Sequence, residues 1–219
     1  LAAVERVFRD ADERFSLYRH DSELSQVNRG ELELAAASLE LRDAYAAAHD
    51  WRRRTGGAFS PNRPDGAIDL NGVVKALAIE TAGHVLHEAR CAAWTLGVGG
   101  DILTATGSSI EIGIANPLER GALIASVTLR SPRRAIATSG SAERGDHIWR
   151  GGETTPAHFV QATVVAGDIV TADVLATAII AGGPEMLDFV TDHWDVDVLT
   201  VDRDGSLLAT PGLTTALAA

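Results

Sequence analysis

Apolar residues recur every three to four positions over the first 90 residues of the chain, which is the period of amphipathic helices. The pattern predicts helices over residues 1–18, 22–30, 38–57 and 71–89. Ser38 stands where an N-cap is expected, and Gly30 and the Gly56-Gly57 pair stand where the second and third helices should end. The first part of the chain is therefore predicted to be mainly helical.

Beyond residue 90 the pattern changes to short β-rich runs broken by Gly, Pro and Asn, which is typical of strands. Such runs cover residues 92–107, 108–117, 122–130, 133–140 and 158–167. An apolar helix follows within residues 167–185, Pro184 is predicted to begin one more, and Asp204-Gly205 marks the turn of a hairpin over 196–210. Helices followed by a block of sequential strands indicate an α+β fold with an antiparallel sheet.

Composition narrows the class of protein. A chain of 219 residues is enough for one large domain or two small ones. With 46% hydrophobic and 22% charged residues it has the profile of a soluble globular protein, and we expect no run long enough to span a bilayer. The net charge of −11 disfavours binding to nucleic acid or anionic lipid. Cys91 is the sole cysteine, which excludes an intrachain disulfide and a zinc-type cysteine cluster.

Within the apolar helix, Asp173 and Thr177 lie four residues apart and so share one face. Two explanations are open. If Thr171 is the N-cap, Asp173 falls in the first turn, where a carboxylate complements the helix dipole. Alternatively, the two side-chain oxygens are aimed at a cation. Taken without other information, the N-terminal explanation is the commoner case.

Lys75 is the only lysine of a chain that otherwise uses arginine. A lone lysine suggests a site that needs a compact point charge rather than a planar fork. It lies one turn inside a helix that opens at Asn71-Gly72, and the start of a helix can receive an anion. Other glycine-rich turns beside acidic residues and hydroxyls are together suited to a phosphate-bearing ligand, although each alone usually marks a tight bend. Neither the dinucleotide fingerprint nor the P-loop is present.

Seven segments occur in the order typical of one known family: FSLYRHDSELSQVNR, TGGAFSP, DLNGVVKALAIE, GVGGDI, TSGSAER, DHI and TVVAGDIVTADVLATA. Through them the chain resembles the ApbE family of Mg-dependent FAD:protein FMN transferases, from about Val4 to the last helix. The resemblance implies one ApbE-like (T-fold-like) domain over residues 1–219, with an antiparallel sheet and packed helices. The family's leading M-G-T segment is absent, so we expect an N-terminal truncation.

The resemblance also implies a reaction. FAD would be cleaved at its pyrophosphate, and FMN would be joined through its phosphate to a Thr or Ser of an acceptor flavoprotein, with release of AMP. Such phosphoryl transfer depends on positioning and on neutralising charge, for which Mg²⁺ held by a few oxygens is suited. FAD is thus the expected substrate, Mg²⁺ the cofactor and a flavoprotein the partner. The expected location is the cytoplasm, with a removed signal peptide or lipid anchor as the alternative.

Individual roles follow from the resemblance. In the family's A-D-x-L-x-T motif the Asp and Thr bind the metal, and these are Asp173 and Thr177; a backbone carbonyl of the D-L-x-[GA]-x-x-K turn, that of Gly72, completes the protein ligands. His147 matches the histidine that activates the acceptor hydroxyl as a general base, so His147 and Asp173 are the expected catalytic residues. The positions expected to contact FAD are Tyr18 at the flavin, Ala58, Phe59 and Ser60 at the adenine end, and Asp69 and Lys75.

The chain departs from the family pattern at a few positions. Ser60 replaces the usual Asp, Ala76 replaces the Gly after the lysine, and Gly97 replaces an Asn. After His147 the chain has IWRGGETTP in place of the family's Asp-Pro turn. Three functions are therefore considered: flavin transfer, Mg-dependent hydrolysis of FAD to FMN and AMP, and flavin binding without catalysis. The intact Asp173 and Thr177 pair disfavours the last, because a pure flavin binder has little need for Mg²⁺.

Overall fold

The computed structural model describes residues 1–140 and 157–214. Its first part is helical, with α1 (Ala2–Phe15), α2 (Glu23–Asn28), α3 (Leu39–Arg54), α4 (Asn71–Glu88) and one turn of 3-10 helix at Leu34–Ala36. The next part holds β1 (Thr95–Val98), β2 (Asp101–Thr104), β3 (Ser109–Ala115), β4 (Leu123–Arg130), β5 (Ala135–Gly140) and β6 (Phe159–Ala166). Helix α5 (Ile169–His193) precedes β7 (Asp197–Asp202), β8 (Leu207–Ala209) and α6 (Pro211–Thr214).

The predicted α+β class and antiparallel sheet are confirmed. Six strands form one sheet in the order β1-β2-β5-β6-β7-β8, and every neighbouring pair is antiparallel. Strands β3 and β4 form a separate two-stranded sheet, a hairpin inserted in the chain between β2 and β5. The register sets Ile102 opposite Ile136 and Ala137 opposite Val164, so β2, β5 and β6 lie side by side within the sheet.

Strand β6 is buried along its whole length because both faces of the sheet are covered. On one face α4 and α5 pack over the strands and form the larger core, which contains Phe159, Ile179 and Leu175. On the other face the β3–β4 hairpin and α6 form a smaller core around Leu129 and Leu213. Burial on both faces explains the nearly continuous apolar sequence of β6.

Side-chain caps fix where the helices begin. Ser38 accepts a hydrogen bond from the Leu41 backbone N–H at 3.2 Å, as predicted. For α5 the explanation that takes Thr171 as the N-cap is wrong. Asp168 has the extended backbone of an N-cap, and its carboxylate accepts from the Thr171 N–H at 2.7 Å. Asp173 is then the fifth residue of α5 and lies beyond the turn where a carboxylate complements the helix dipole.

Helix α5 is two consecutive helices, as the prediction of a new helix at Pro184 requires. Gly183 has φ 67° and ψ −152°, a conformation essentially restricted to glycine, and Pro184 then opens the second helix. By length and hydropathy α5 reaches what a membrane span needs, contrary to our expectation. Half of that apolar stretch is nevertheless buried inside the protein, which is typical of a core helix.

Candidate functional site

Lys75 lies between two buried carboxylates that come from distant parts of the chain. Its Nζ is 2.5 Å from Oδ2 of Asp101 and 3.5 Å from Oδ1 of Asp173. The side chain of Asp101 is fully buried and that of Asp173 is 4% exposed, whereas Lys75 keeps 21% of its side chain exposed. Because both carboxylates are buried, water and salt screen their charges weakly, and their attraction to the ammonium is strong. We call these three residues the Lys75 cluster.

Helices α4 and α5 bring Lys75 and Asp173 together by packing in opposite directions. Glu80 lies five residues after Lys75 in α4, and Asp168 lies five residues before Asp173 at the start of α5. Asp168 is close to Glu80 just as Asp173 is close to Lys75, so the two helices run antiparallel. Burial raises the pKa of Glu80, and the neighbouring Asp168 carboxylate raises it further, while His84 and Arg134 act in the opposite sense.

The same arrangement relates two of the predicted metal ligands. Gly72 lies three residues before Lys75 in α4, and Thr177 lies four residues after Asp173 in α5. At a rise of about 1.5 Å per residue, Gly72 and Thr177 come to nearly the same height along the antiparallel pair. The start of α4 therefore lies level with the turn of α5 that carries Asp173 and Thr177.

Strands β2 and β5 supply the other wall of the site. Asp101 begins β2 directly after the Gly99-Gly100 turn, in which both glycines have positive φ. Its Oδ1 accepts from the Thr138 backbone N–H at 3.3 Å. The next residue of β5, Ser139, has its Oγ 3.0 Å from Oγ1 of Thr177. The β5 segment thus links Asp101 to Thr177, the partly exposed end of the Asp173–Thr177 turn.

Asp101 and Ser139 are residues to which sequence reasoning assigned no role. The signal was present, because Asp101 ends the quoted GVGGD stretch and Ser139 lies in TSGSAER. An acidic residue after a Gly-Gly pair is most often a turn residue, and a serine before a glycine also usually marks a turn or loop. Only the pairing of β2 with β5 and the position of α5 bring both side chains to Lys75 and Thr177.

The predicted FAD-contacting residues of two loops are also brought together. The ring of Phe59 lies against Gly72, so that a methyl group added there would lie 2.8 Å from Phe59 Cε2. Asp69 donates its backbone N–H to the Pro61 carbonyl at 2.8 Å, and its Oδ1 accepts from the Asn71 N–H at 2.9 Å. The segment after α3 and the start of α4 are therefore paired side by side.

Ala58 and Ser60 flank Phe59 in this arrangement. The methyl group of Ala58 lies 3.3 Å from the position that a Cβ atom on Gly182 would occupy. The segment of residues 58–60 therefore also contacts α5. The Ser60 hydroxyl accepts from the Asn62 N–H at 3.2 Å and donates to the Asn62 carbonyl at 3.3 Å, which closes a tight local turn. Ser60 therefore shapes this loop by its own hydrogen bonds.

Tyr18 lies on the surface of the protein. The helix predicted to reach Tyr18 ends at Phe15, because the Ser16 carbonyl accepts from the hydroxyls of Ser22 and Ser25 instead of continuing the helix. Tyr18 lies in the loop that follows and is 94% exposed, on the surface and accessible to a ligand. His147 lies outside the described residues.

The predicted metal ligands are a carboxylate, a hydroxyl and a backbone carbonyl. Within the described residues, 1–140 and 157–214, no group of three or more His, Cys, Asp or Glu side chains is arranged to hold a metal ion. The candidate set of Asp173, Thr177 and Gly72 is of a different kind, since it contains a single carboxylate. Its members come from the facing turns of α4 and α5 described above.

The sequence model of the ApbE family matches residues 1–64 and 60–200, and the chain therefore belongs to the ApbE family, as the motifs predicted. Among functionally curated proteins none matches.

Solved structures with this fold include the flavin transferase ApbE from Vibrio cholerae, which is 21% identical with a TM-score of 0.79 over 99% of this chain and 89% of that one. The ApbE protein from Thermotoga maritima is 22% identical, with a TM-score of 0.82 over 100% and 91% of the two chains. The apo flavinyl transferase ApbE from Pseudomonas stutzeri is 19% identical, with a TM-score of 0.79 over 100% and 87%. These similarities confirm the predicted ApbE-like fold.

Proposed function

We propose that the protein transfers FMN from FAD to a Thr or Ser hydroxyl of an acceptor flavoprotein and releases AMP. The observation that carries the proposal is the Lys75 cluster, which combines the lone lysine with the buried carboxylate of the family's metal-binding motif. Membership of the ApbE family supports the same conclusion, as do the names of the similar structures, which are flavin transferases from two bacteria.

The donor set fits Mg²⁺. Mg²⁺ takes oxygen ligands in an octahedron, and it is commonly held by one or two carboxylates together with waters and substrate phosphates. Asp173 offers a buried carboxylate, Thr177 a hydroxyl one turn further on, and Gly72 a carbonyl at nearly the same height. When bound there, Mg²⁺ would offset the negative charge that develops on the transferred phosphoryl group.

Ser139 is well suited to orient the Thr177 hydroxyl. A hydroxyl that turns a lone pair toward a cation must direct its hydrogen elsewhere. The Ser139 oxygen, 3.0 Å away, can accept that hydrogen. The proposed role of Ser139 is therefore to fix the rotamer of a metal ligand.

The remaining residues bind and orient FAD in this proposal. The pyrophosphate would lie between the start of α4 and the Asp173–Thr177 turn of α5, where the positive end of the α4 dipole and the partly exposed Lys75 ammonium both favour an anion. The paired segments around Phe59 and Asp69 would form the wall for the adenine end. Tyr18, exposed on its loop, would pack on the flavin.

His147 is the proposed general base. It would take the proton of the acceptor hydroxyl as that oxygen attacks the phosphorus of the FMN moiety, while the bond to the AMP phosphate breaks and AMP leaves. The task suits an imidazole near neutral pH. The assignment is supported by the match of the DHI segment to the family motif.

The test is an incubation of the protein with FAD, MgCl₂ and a purified flavin-acceptor domain, followed by mass spectrometry of the acceptor and chromatography of the nucleotides. We expect the acceptor to gain one FMN, less a water, together with an equal amount of AMP, and chelation of the metal to stop both. FAD that remains intact with several acceptor domains would refute an enzymatic function.

A second function, hydrolysis of FAD to FMN and AMP, is favoured by one observation. The segment IWRGGETTP after His147 lacks the Asp-Pro turn of the family, so the acceptor side differs while the proposed metal ligands match. In the same incubation, a hydrolase would release AMP and free FMN and leave the mass of the acceptor unchanged.

A further inference from the structure

The two contacts of Lys75 are unequal. Its ammonium is 2.5 Å from Asp101 but 3.5 Å from Asp173, so its shorter ion pair is with a residue outside the proposed metal ligands. Among the described residues these are the ion pairs of Lys75. A carboxylate that held the lysine as closely as Asp101 does would be less available to a second cation.

We infer that Asp101 is a positioning residue: it holds the Lys75 ammonium away from Asp173 and so keeps the Asp173 carboxylate available to the divalent cation. The inference rests on the proposed function, since it concerns the same metal site. It assigns opposite tasks to two buried carboxylates that share one lysine. Asp101 takes the ammonium, and Asp173 takes the metal.

Asp101 is the fixed member of the cluster and Lys75 the movable one. Asp101 is fully buried, begins a strand and accepts from the Thr138 backbone N–H, so its carboxylate has a set position. Lys75 has a flexible stem of four carbons and is partly exposed. The position of the ammonium is therefore decided by the carboxylate that attracts it more, and a neutral group at position 101 would release it.

An Asp101→Asn change should send the ammonium to Asp173. The amide keeps the shape of the side chain but has no net charge to attract the ammonium. Among the described residues, Asp173 is then the remaining carboxylate paired with Lys75. The ammonium is now 3.5 Å from Asp173 and would have to move only about 1 Å to pair with it as closely as it pairs with Asp101 at 2.5 Å. A divalent cation at Asp173 must displace that ammonium, so its apparent affinity should fall, whereas a purely structural role for Asp101 would not depend on Lys75.

The experiment measures Mn²⁺ binding to the full chain without FAD, by electron paramagnetic resonance of the free ion. Mn²⁺ is used because it accepts the same octahedral oxygen sites as Mg²⁺. We expect Asp101→Asn to weaken Mn²⁺ binding about 10- to 100-fold, the usual effect of changing a group that tunes a metal ligand. The double variant Asp101→Asn/Lys75→Gln should recover the wild-type affinity, because the competing ammonium is gone.

The recovery in the double variant is the decisive result. If the double variant binds Mn²⁺ as weakly as Asp101→Asn alone, or if Asp101→Asn binds as tightly as the wild type, the inference is wrong. Lys75→Gln alone tests it even where Asp101→Asn does not fold, because removing the competitor must leave Mn²⁺ binding at least as tight. Weaker binding by Lys75→Gln would overturn the inference.

Two controls separate this inference from the proposed function. Asp173→Asn should abolish Mn²⁺ binding; if it binds like the wild type, the proposed metal site itself is wrong, whatever Asp101 does. Asp197→Asn removes a carboxylate at the start of β7 that pairs with Arg133 at 2.9 Å and does not belong to the Lys75 cluster. It should leave Mn²⁺ binding unchanged, which excludes a general effect of the lost negative charge.

Discussion

The hydroxyl oxygens of Ser139 and Thr177 lie 3.0 Å apart, and this hydrogen bond joins strand β5 to helix α5 inside the candidate site. Two substitutions break the same bond. Both Thr177→Val and Ser139→Ala should lower the free energy of unfolding by about 1 kcal/mol, the usual net contribution of one hydrogen bond. Urea unfolding of the two variants measures this.

The two variants should differ in their need for Mg²⁺. Thr177→Val removes a proposed metal ligand, so the Mg²⁺ concentration for half-maximal flavin transfer should rise about tenfold or more. Ser139→Ala leaves the ligand in place and only frees its rotamer, so the rise should be smaller. Equal Mg²⁺ requirements in the two variants would show that Thr177 acts only through its bond to Ser139.

The contact of Phe59 with Gly72 gives a second prediction. A methyl group at position 72 would lie 2.8 Å from Phe59 Cε2, and the buried ring has little room to move. Gly72→Ala should therefore destabilise the protein by about 1–3 kcal/mol, the range for an overpacked core. Gly97→Ala is the matched control, because the nearest atom there is 3.9 Å away, and the protein should tolerate it.

A Phe59→Leu change in the Gly72→Ala background tests the cause. The smaller side chain should return part of the lost unfolding free energy. If the double variant is less stable than the sum of its single changes predicts, the steric explanation is wrong.

The third prediction concerns His147. Hydrolysis of FAD needs a water near the phosphate, whereas transfer needs a docked and deprotonated acceptor hydroxyl. His147→Ala should therefore reduce transfer by about a hundred- to ten-thousand-fold, the range for a lost general base, and reduce AMP release far less. Parallel measurement of AMP and of acceptor-linked FMN decides the matter. Equal losses would mean that His147 positions FAD or the metal.

The fourth prediction follows from Glu80. Burial and the Asp168 carboxylate raise its pKa in the folded protein above the value in the unfolded chain. The folded state then binds this proton more tightly, so the contribution to stability is complete below the unfolded pKa of about 4.3 and is lost as the pH rises through the folded value. Above the folded pKa, the charged Glu80 is destabilising.

Glu80→Gln should therefore melt about 1–2 °C higher than the wild type at pH 7, a modest figure because the side chain is only half-buried. The difference should disappear below about pH 4, where Glu80 is protonated in both states. Thermal melts from below about pH 4 up to about pH 8 measure it, with the exposed Glu119→Gln as a control. A gap that persists unchanged at low pH would contradict the titration of Glu80.

Most of the fold could be predicted from the sequence, because hydrophobic period and turn residues are local properties. The helix at residues 71–89 and the hairpin turning at Asp204-Gly205 are close to the observed elements. The N-cap of α5 could not be predicted from the sequence alone. Asp168 and Thr171 are both good capping residues three positions apart, and the extended backbone of Asp168 and its hydrogen bond from the Thr171 N–H identify it as the N-cap.

The site was predicted only in part, because its geometry depends on contacts between distant segments. The motifs indicated Lys75, Asp173 and Thr177, which come from facing turns of α4 and α5. Asp101 was missed as a partner of Lys75, since no local pattern distinguishes a buried carboxylate from a turn residue after Gly-Gly. Whether Asp173 and Thr177 hold Mg²⁺ stays a prediction until binding is measured.

The Lys75 cluster joins α4, β2 and α5, which are separated in the chain and meet only in the folded protein. An unfolded chain therefore offers no comparable site, and any ligand that occupies the cluster in the native state must also protect that state against denaturation. At a hundred times its Kd such a ligand adds about 2.7 kcal/mol to the unfolding free energy. For a chain of this size that corresponds to a rise in Tm of several degrees. A melting curve with and without Mg²⁺ and FAD thus reports occupancy of the site by a route that requires neither an acceptor protein nor turnover.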